Sequence, residues 1–179
     1  MEPYNFKYEV YYRPIIYPRL EFKTGRLFLI LPFGYEPELI LNKHNSWIAK
    51  KINFIEDCLS NAEGKDLIER TTDTFKELTL SLAKELTHEM KVEINNIYFR
   101  KMRTKWASLS ILKDLTANIS MKYLPEYLIE YIIFHEVVHV FERKHNKKFW
   151  EIISQKYKDY PKFEKEMFAY WFKISEILD

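Results

Sequence analysis

The sequence predicts an α+β fold. Three observations carry this: an aromatic and aliphatic stretch near the start that alternates in character, several long segments with apolar residues at three- and four-residue spacings, and a stretch around residue 133 that is apolar nearly all round. The chain has 179 residues, 47% of them apolar and 17% aromatic, enough to bury a core within the usual size of one domain. A single domain over 1–179 is expected.

Residues 8–31 are rich in Tyr, Ile, Phe and Leu, with Lys23-Thr24-Gly25-Arg26 between two extended runs. They predict a β-hairpin, and with it a small antiparallel sheet. Gly25 is the expected positive-φ turn residue. From Pro37 to Leu59 the spacing of Leu39, Ile40, Trp47, Ile48, Ile52 and Ile55 predicts an amphipathic helix. Asn61 to Lys65, with Gly64, interrupts it, and a second helical pattern runs from about Lys65 to Met90 through Leu67, Phe75, Leu78, Leu82 and Leu86. Ile94 to Ser110 and Asn118 to Tyr123 predict extended segments. Pro125 suits the first turn of a helix, and a buried helix is expected over about 125–142. The last stretch, Lys147 to Leu178, predicts two helices split near Pro161, the second packing through Phe163, Met167, Trp171 and Ile174. About five helices are expected in all.

Lys and Arg number 28 against 26 for Asp and Glu, so the formal net charge of +2 gives no general attraction to nucleic acid or membrane. The opening MEPYNFKYEVYYRP lacks the pattern of a signal segment, and no apolar run approaches the roughly 18 residues needed to cross a bilayer. With Cys58 as its single cysteine the chain can form neither an internal disulfide nor a thiolate zinc site. A cytoplasmic protein without membrane contact is expected.

The chemistry lies in the buried helix. His135-Glu136-Val137-Val138-His139 puts two imidazoles one helical turn apart on the same face, where both can bind one Zn²⁺. Glu136 projects beside them, placed to take a proton from a water whose pKa the metal lowers to about 7. Burying three ionisable groups within YIIFHEVVHVF costs several kcal/mol unless they are compensated, and a metal supplies the compensation. The competing reading makes them hydrogen-bonded core histidines and a paired glutamate. A catalytic zinc also needs a third protein ligand and an open position. His145 is the nearest candidate, provided that the helix ends around Glu142 to Lys144 and the chain folds back. Glu142 competes, but on a continuous helix it stands about 10 Å along the axis from His135, too far to share an ion easily.

The stretch HEVVHVFERKHNKKFW resembles the HExxH, five residues, His, then Phe-Trp signature of the YgjP-like predicted metallohydrolases, which are related to the zincin metallopeptidases and to SprT and WLM domains. MRTKWASLS looks like the family's Arg-Trp-Gly-Ser-Cys strand, and the hairpin followed by PELILNKHNSWIAKKI resembles its N-terminal part, so the likeness spans most of the chain. Ala107 and Leu109 stand where the family usually has Gly and Cys, and Val138 replaces a smaller residue; none of these removes a ligand. The resemblance implies a zincin-like fold with His135, His139 and His145 as ligands and Glu136 as base.

Substrate is less constrained. Arg143, Lys144, Lys147 and Lys148 lie near the metal motif, and Arg100, Lys101, Arg103 and Lys105 lie in the extended segment. Arg103 and Lys105, expected to share a strand face, together with Trp106, are the candidate substrate-binding residues. In a peptidase reading, an edge strand near Trp106 aligns an extended peptide. In the alternative, a nucleoside-triphosphate phosphohydrolase, the basic residues clamp phosphates. A metal-stabilised DNA-binding module is the third reading, with Trp106, Phe149 and Trp150 as stacking groups; nucleic acid is the least expected partner. Mn²⁺ or Co²⁺ also suits three imidazoles.

Overall fold

The computed structural model describes residues 6–23 and 26–178. Gly25, the expected turn glycine, lies outside the described residues. The backbone falls into two compact units, residues 1–61 and 62–179.

The first unit begins with three strands, β1 (Tyr8–Tyr12), β2 (Arg19–Lys23) and β3 (Arg26–Leu31), in the order β1-β3-β2. β2 and β3 form the expected hairpin with Lys23 opposite Arg26. β1 instead joins β3 in parallel, so the sheet is mixed rather than antiparallel. Pro14 and Pro18 sit between β1 and β2; both lack a donor for continued strand pairing, and the chain turns back between them. Alternation along β3 puts Leu27, Leu29 and Leu31 on one buried face. Leu29 is flanked by Val10 and Leu20, and Leu27 by Tyr8 and Phe22, each set sharing a register position. Ile40, Leu41 and Ile48 close this core from two helices, α1 (Pro37–Lys43) and α2 (Asn45–Glu63). One helix was expected there; the chain breaks at His44, whose φ of −113° and ψ of 16° lie outside helical values.

The second unit is built around a single helix. α3 (Thr72–Met90) starts at a Thr71 side chain that accepts from the Thr74 N–H at 3.1 Å, several residues later than expected. It buries Phe75, Thr79, Leu82, Ala83 and Leu86 along one face. A second mixed sheet follows, with β4 (Ile97–Arg100) parallel to β6 (Leu115–Asn118) and β5 (Ala107–Leu109) antiparallel to it, in the order β4-β6-β5. Residues 119–123, expected to be extended, form a 3-10 turn instead, because the Asn118 side chain accepts the Ser120 N–H at 3.1 Å and caps it.

α4 (Glu126–Val138) packs against α3, β5, α5 (Lys147–Lys156) and α6 (Tyr160–Leu178). Leu128, Ile129, Ile132, Ile133, Phe134, Val137 and Val138 are all buried, so beyond its exposed first turn the helix is covered on nearly every side. The last two helices divide at Tyr157–Asp159, and Pro161 takes the second position of α6, where its missing N–H costs nothing. Six α-helices thus accompany two small sheets among the described residues. No helix there is long and apolar enough to cross a membrane.

Candidate metal centre

The end of α4 shapes the site. Regular helix stops at Val138, four residues earlier than expected, and the last turn tightens: His139, Val140 and Phe141 donate to carbonyls three residues back, at 3.1, 3.0 and 3.0 Å. The Asn146 N–H then donates to Lys144 O at 2.7 Å, while the Asn146 side chain caps α5 by accepting from the Phe149 N–H at 3.1 Å. Between these fixed points the chain reverses and carries His145 back to α4.

The three imidazoles converge. His135 Nε2 lies 2.9 Å from His145 Nε2, and one ring nitrogen of each of His135, His139 and His145 lies within 4.8 Å of the others. His139 Nδ1 donates to the Glu142 carbonyl at 3.0 Å, which leaves its Nε2 lone pair for another partner. Phe149, fully buried, has its ring centroid 4.6 to 4.8 Å from all three imidazoles, and Trp150 stacks on His145 at 5.7 Å. This apolar wall limits how far any of the rings can turn.

Electrostatics keeps the donors available. Burial, with the neighbouring imidazoles adding to it, pushes His135 down to about 3, and burial also lowers His145. Neutral imidazoles with lone pairs facing one another repel unless something electrophilic lies between them. Tetrahedral ligands about 2.0–2.1 Å from a zinc stand about 3.3 Å apart, between the 2.9 Å of the His135–His145 pair and the 4.8 Å within which all three nitrogens lie. The all-nitrogen donor set, the convergence and the buried His135 Nδ1, which has no hydrogen-bond partner, therefore fit a divalent metal.

Glu136 is 9% exposed, and burial pushes its carboxyl up to about 7, opposed by the Leu109 N–H and the Lys105 charge. Glu142, the competing ligand, is outside the cluster. Hydrogen bonds from the Lys144 N–H, at 3.3 Å, and from the Asn146 side chain hold its carboxyl below its usual value, so it braces the turn that presents His145.

The three candidate substrate residues are not on a strand. They sit in the 101–106 loop between β4 and β5, pinned by the buried Asn118 side chain, which donates to Met102 O at 2.9 Å and Lys105 O at 2.8 Å. The strand alternation expected to put Arg103 and Lys105 on one face is therefore absent. Lys105 comes near enough to influence Glu136, Arg103 is exposed, and Trp106 packs edge-on against Trp171 at 4.7 Å. Arg143 spends its guanidinium on Ser110 O at 3.0 Å and Ile111 O at 3.4 Å. Sequence reasoning overlooked Glu164, whose Oε1 lies 3.7 Å from His135 Nδ1. It is 29 residues downstream on α6, next to the packing residue Phe163, and no spacing rule links it to the motif.

The crystal structure of the metallopeptidase zymogen of Methanocaldococcus jannaschii jannalysin is 26% identical over 56% of this chain and 97% of that one, with a TM-score of 0.45. That of the metallopeptidase zymogen of Pyrococcus abyssi abylysin is 18% identical over 44% of this chain and 79% of that one, with a TM-score of 0.41. No curated protein sequence matches. The family model of the YgjP-like metallopeptidase domain matches residues 60–169, more than half of the chain and the whole of the imidazole cluster. The chain belongs to the YgjP-like metallopeptidase family.

Proposed function

We propose that the protein is a zinc-dependent peptidase in which His135, His139 and His145 hold the ion and Glu136 is the general base. The observation that carries this is the convergence of three imidazole nitrogens beside a buried carboxylate. A structural zinc would have no use for that carboxylate, which argues against a purely DNA-binding module. When bound, the metal polarises the scissile carbonyl and acidifies the attacking water. Glu136 accepts the proton of that water and delivers it to the leaving amine as the C–N bond breaks. Burial raises the Glu136 carboxyl above its ordinary range, the direction that a group accepting and returning a proton requires.

β5 is the strand that would align the peptide. It lies at the edge of its sheet, and the bonds from Asn118 N to Trp106 O (2.8 Å) and from Ser110 N to Asp114 O (2.9 Å) set the ladder's phase. By alternation, the main-chain groups of Ala107 and Leu109 point away from β6. Leu109 serves Glu136, and Ala107 offers its N–H and C=O to an extended substrate. Trp106, just before Ala107, and Lys105 border this position. A nucleoside triphosphate has less support, because Arg143 is engaged with the carbonyls of Ser110 and Ile111. The single cysteine fits a cytoplasmic site of action.

The test is cleavage of a peptide library by zinc-loaded wild type and Glu136→Gln, with a nucleoside triphosphate alongside. Wild type should cleave peptides, and the variant should hold equal zinc with turnover reduced roughly 10²- to 10⁴-fold. Full activity in Glu136→Gln would remove the general base.

A further inference from the structure

Glu164 occupies a position that neither the fold nor the proposed reaction explains. It comes from the second turn of α6, and its carboxylate is directed at the back of α4. Tyr131 donates its hydroxyl to Glu164 Oε1 at 2.6 Å. Tyr131 stands one helical turn before His135 and is itself fully buried, its ring stacked on Phe163 at 5.0 Å and edge-on to Tyr157 at 5.0 Å. The hydroxyl is therefore rigid, and it fixes the carboxylate. The same Oε1 lies 3.7 Å from His135 Nδ1, too long for a hydrogen bond. That Nδ1 is the buried side-chain polar atom left without a partner among the described residues.

The two halves of this arrangement complete one another. An orphaned buried donor is destabilising, and the Glu164 carboxylate takes its hydrogen bond from the neutral Tyr131 hydroxyl, which leaves room for a second donor. A divalent ion held by neutral imidazoles brings two positive charges into the site, and Glu136 can balance only one of them. A ring that donates its Nε2 lone pair becomes more acidic at Nδ1–H, which strengthens any bond to a carboxylate behind it.

We propose that Glu164, held by Tyr131, is the positioning carboxylate of the metal centre: it receives the His135 Nδ1–H, fixes the tautomer that presents Nε2, and supplies the second negative charge. The proposal rests on the three-histidine reading of the site. It assigns α6 a part in metal affinity, whereas Glu164 has no contact with substrate and no role in proton transfer to it.

The experiment is zinc affinity by competition with a chromogenic chelator, for wild type, Glu164→Gln and Tyr131→Phe, together with thermal stability of the three metal-free proteins. The His135 ring resonances are followed by ¹⁵N NMR in the zinc-loaded forms. Glu164→Gln should bind zinc roughly 10- to 100-fold more weakly, with metal-free stability near that of wild type and a shifted His135 Nδ1–H signal. Tyr131→Phe, which keeps the ring packing, should weaken zinc in the same direction by a smaller factor. Unchanged affinity and an unmoved Nδ1–H signal in Glu164→Gln, beside a wild type that binds zinc, would overturn the proposal alone. An affinity loss matched by collapse of the metal-free fold in both variants would also overturn it, as a structural role. A wild type that binds no zinc would overturn the metal site, and this proposal with it.

Discussion

The two ends of α4 treat their polar groups in opposite ways. Toward its start they are paired: exposed Tyr127 donates to Glu166 at 2.6 Å, buried Tyr131 to Glu164 at 2.6 Å, and half-buried Glu130 accepts from Tyr157 at 2.9 Å. At its end, His135 Nδ1 has none, two imidazole nitrogens face each other at 2.9 Å, and Glu136 is buried with its carboxyl pushed up to about 7. Both ends pass through the same apolar core. The first is what a protein does with polar groups it uses for structure, where each hydrogen bond contributes about 1 kcal/mol. The second leaves one buried nitrogen unpaired and gathers lone pairs that a bound ion would engage, which makes incomplete satisfaction the mark of a binding site.

The comparison breaks most visibly at His139. His139→Ala should abolish both stoichiometric zinc loading and turnover, while the metal-free protein unfolds within about 1 kcal/mol of wild type, because the internal pairing lost is the single hydrogen bond from Nδ1 to the Glu142 carbonyl. A large destabilisation of metal-free His139→Ala, read from denaturant midpoints, would place the imidazole among the structural groups.

Phe149 links the two behaviours, since its ring is fully buried and touches all three imidazoles. Phe149→Ala should cost about 3–5 kcal/mol in urea unfolding and should also weaken zinc binding, as the rings regain freedom. Loss of stability with unchanged zinc affinity would show that the imidazoles are oriented without this wall.

The smallest effect is expected at the satisfied end. Burial opposes the charge on Glu166, yet hydrogen bonds from Lys65 and Tyr127 outweigh it and hold its carboxyl below its usual value. A folded-state pKa that is depressed stabilises the fold above the unfolded value of about 4.3, and the gain is lost as pH falls through the folded value. Glu166→Gln should therefore cost about 1 kcal/mol or less at neutral pH, approach wild type in acid, and leave zinc affinity alone. A stability difference that persists unchanged to low pH would remove the ionic contribution.

Much of this was legible in the residues. The i, i+4 pair His135 and His139 is a local pattern, and the unbroken apolar run around it, after Pro125, marks a covered helix, so the site's helix is legible without any long-range information. The helix end is less visible: regular structure stops at Val138, and the tightened turn that follows depends on hydrogen bonds with no strong residue signal. That His145 returns to the pair could be reasoned from the need for a third ligand, whereas the Asn146 cap that enforces it is a local cue of the ordinary kind. Long-range pairings were out of reach. β1 lies parallel to β3, Asn118 pins the 101–106 loop, and Glu164 reaches His135 from α6; each is decided by tertiary packing, which carries no fixed sequence spacing.

The central claim is tested most directly by the zinc content of the purified protein after loading and dialysis, wild type beside His145→Ala. The account predicts about one zinc per chain in wild type and far less in the variant. Equal zinc in both would remove His145 from the site, and no metal in wild type under any loading condition would make HEVVH a set of core histidines with no ion to hold.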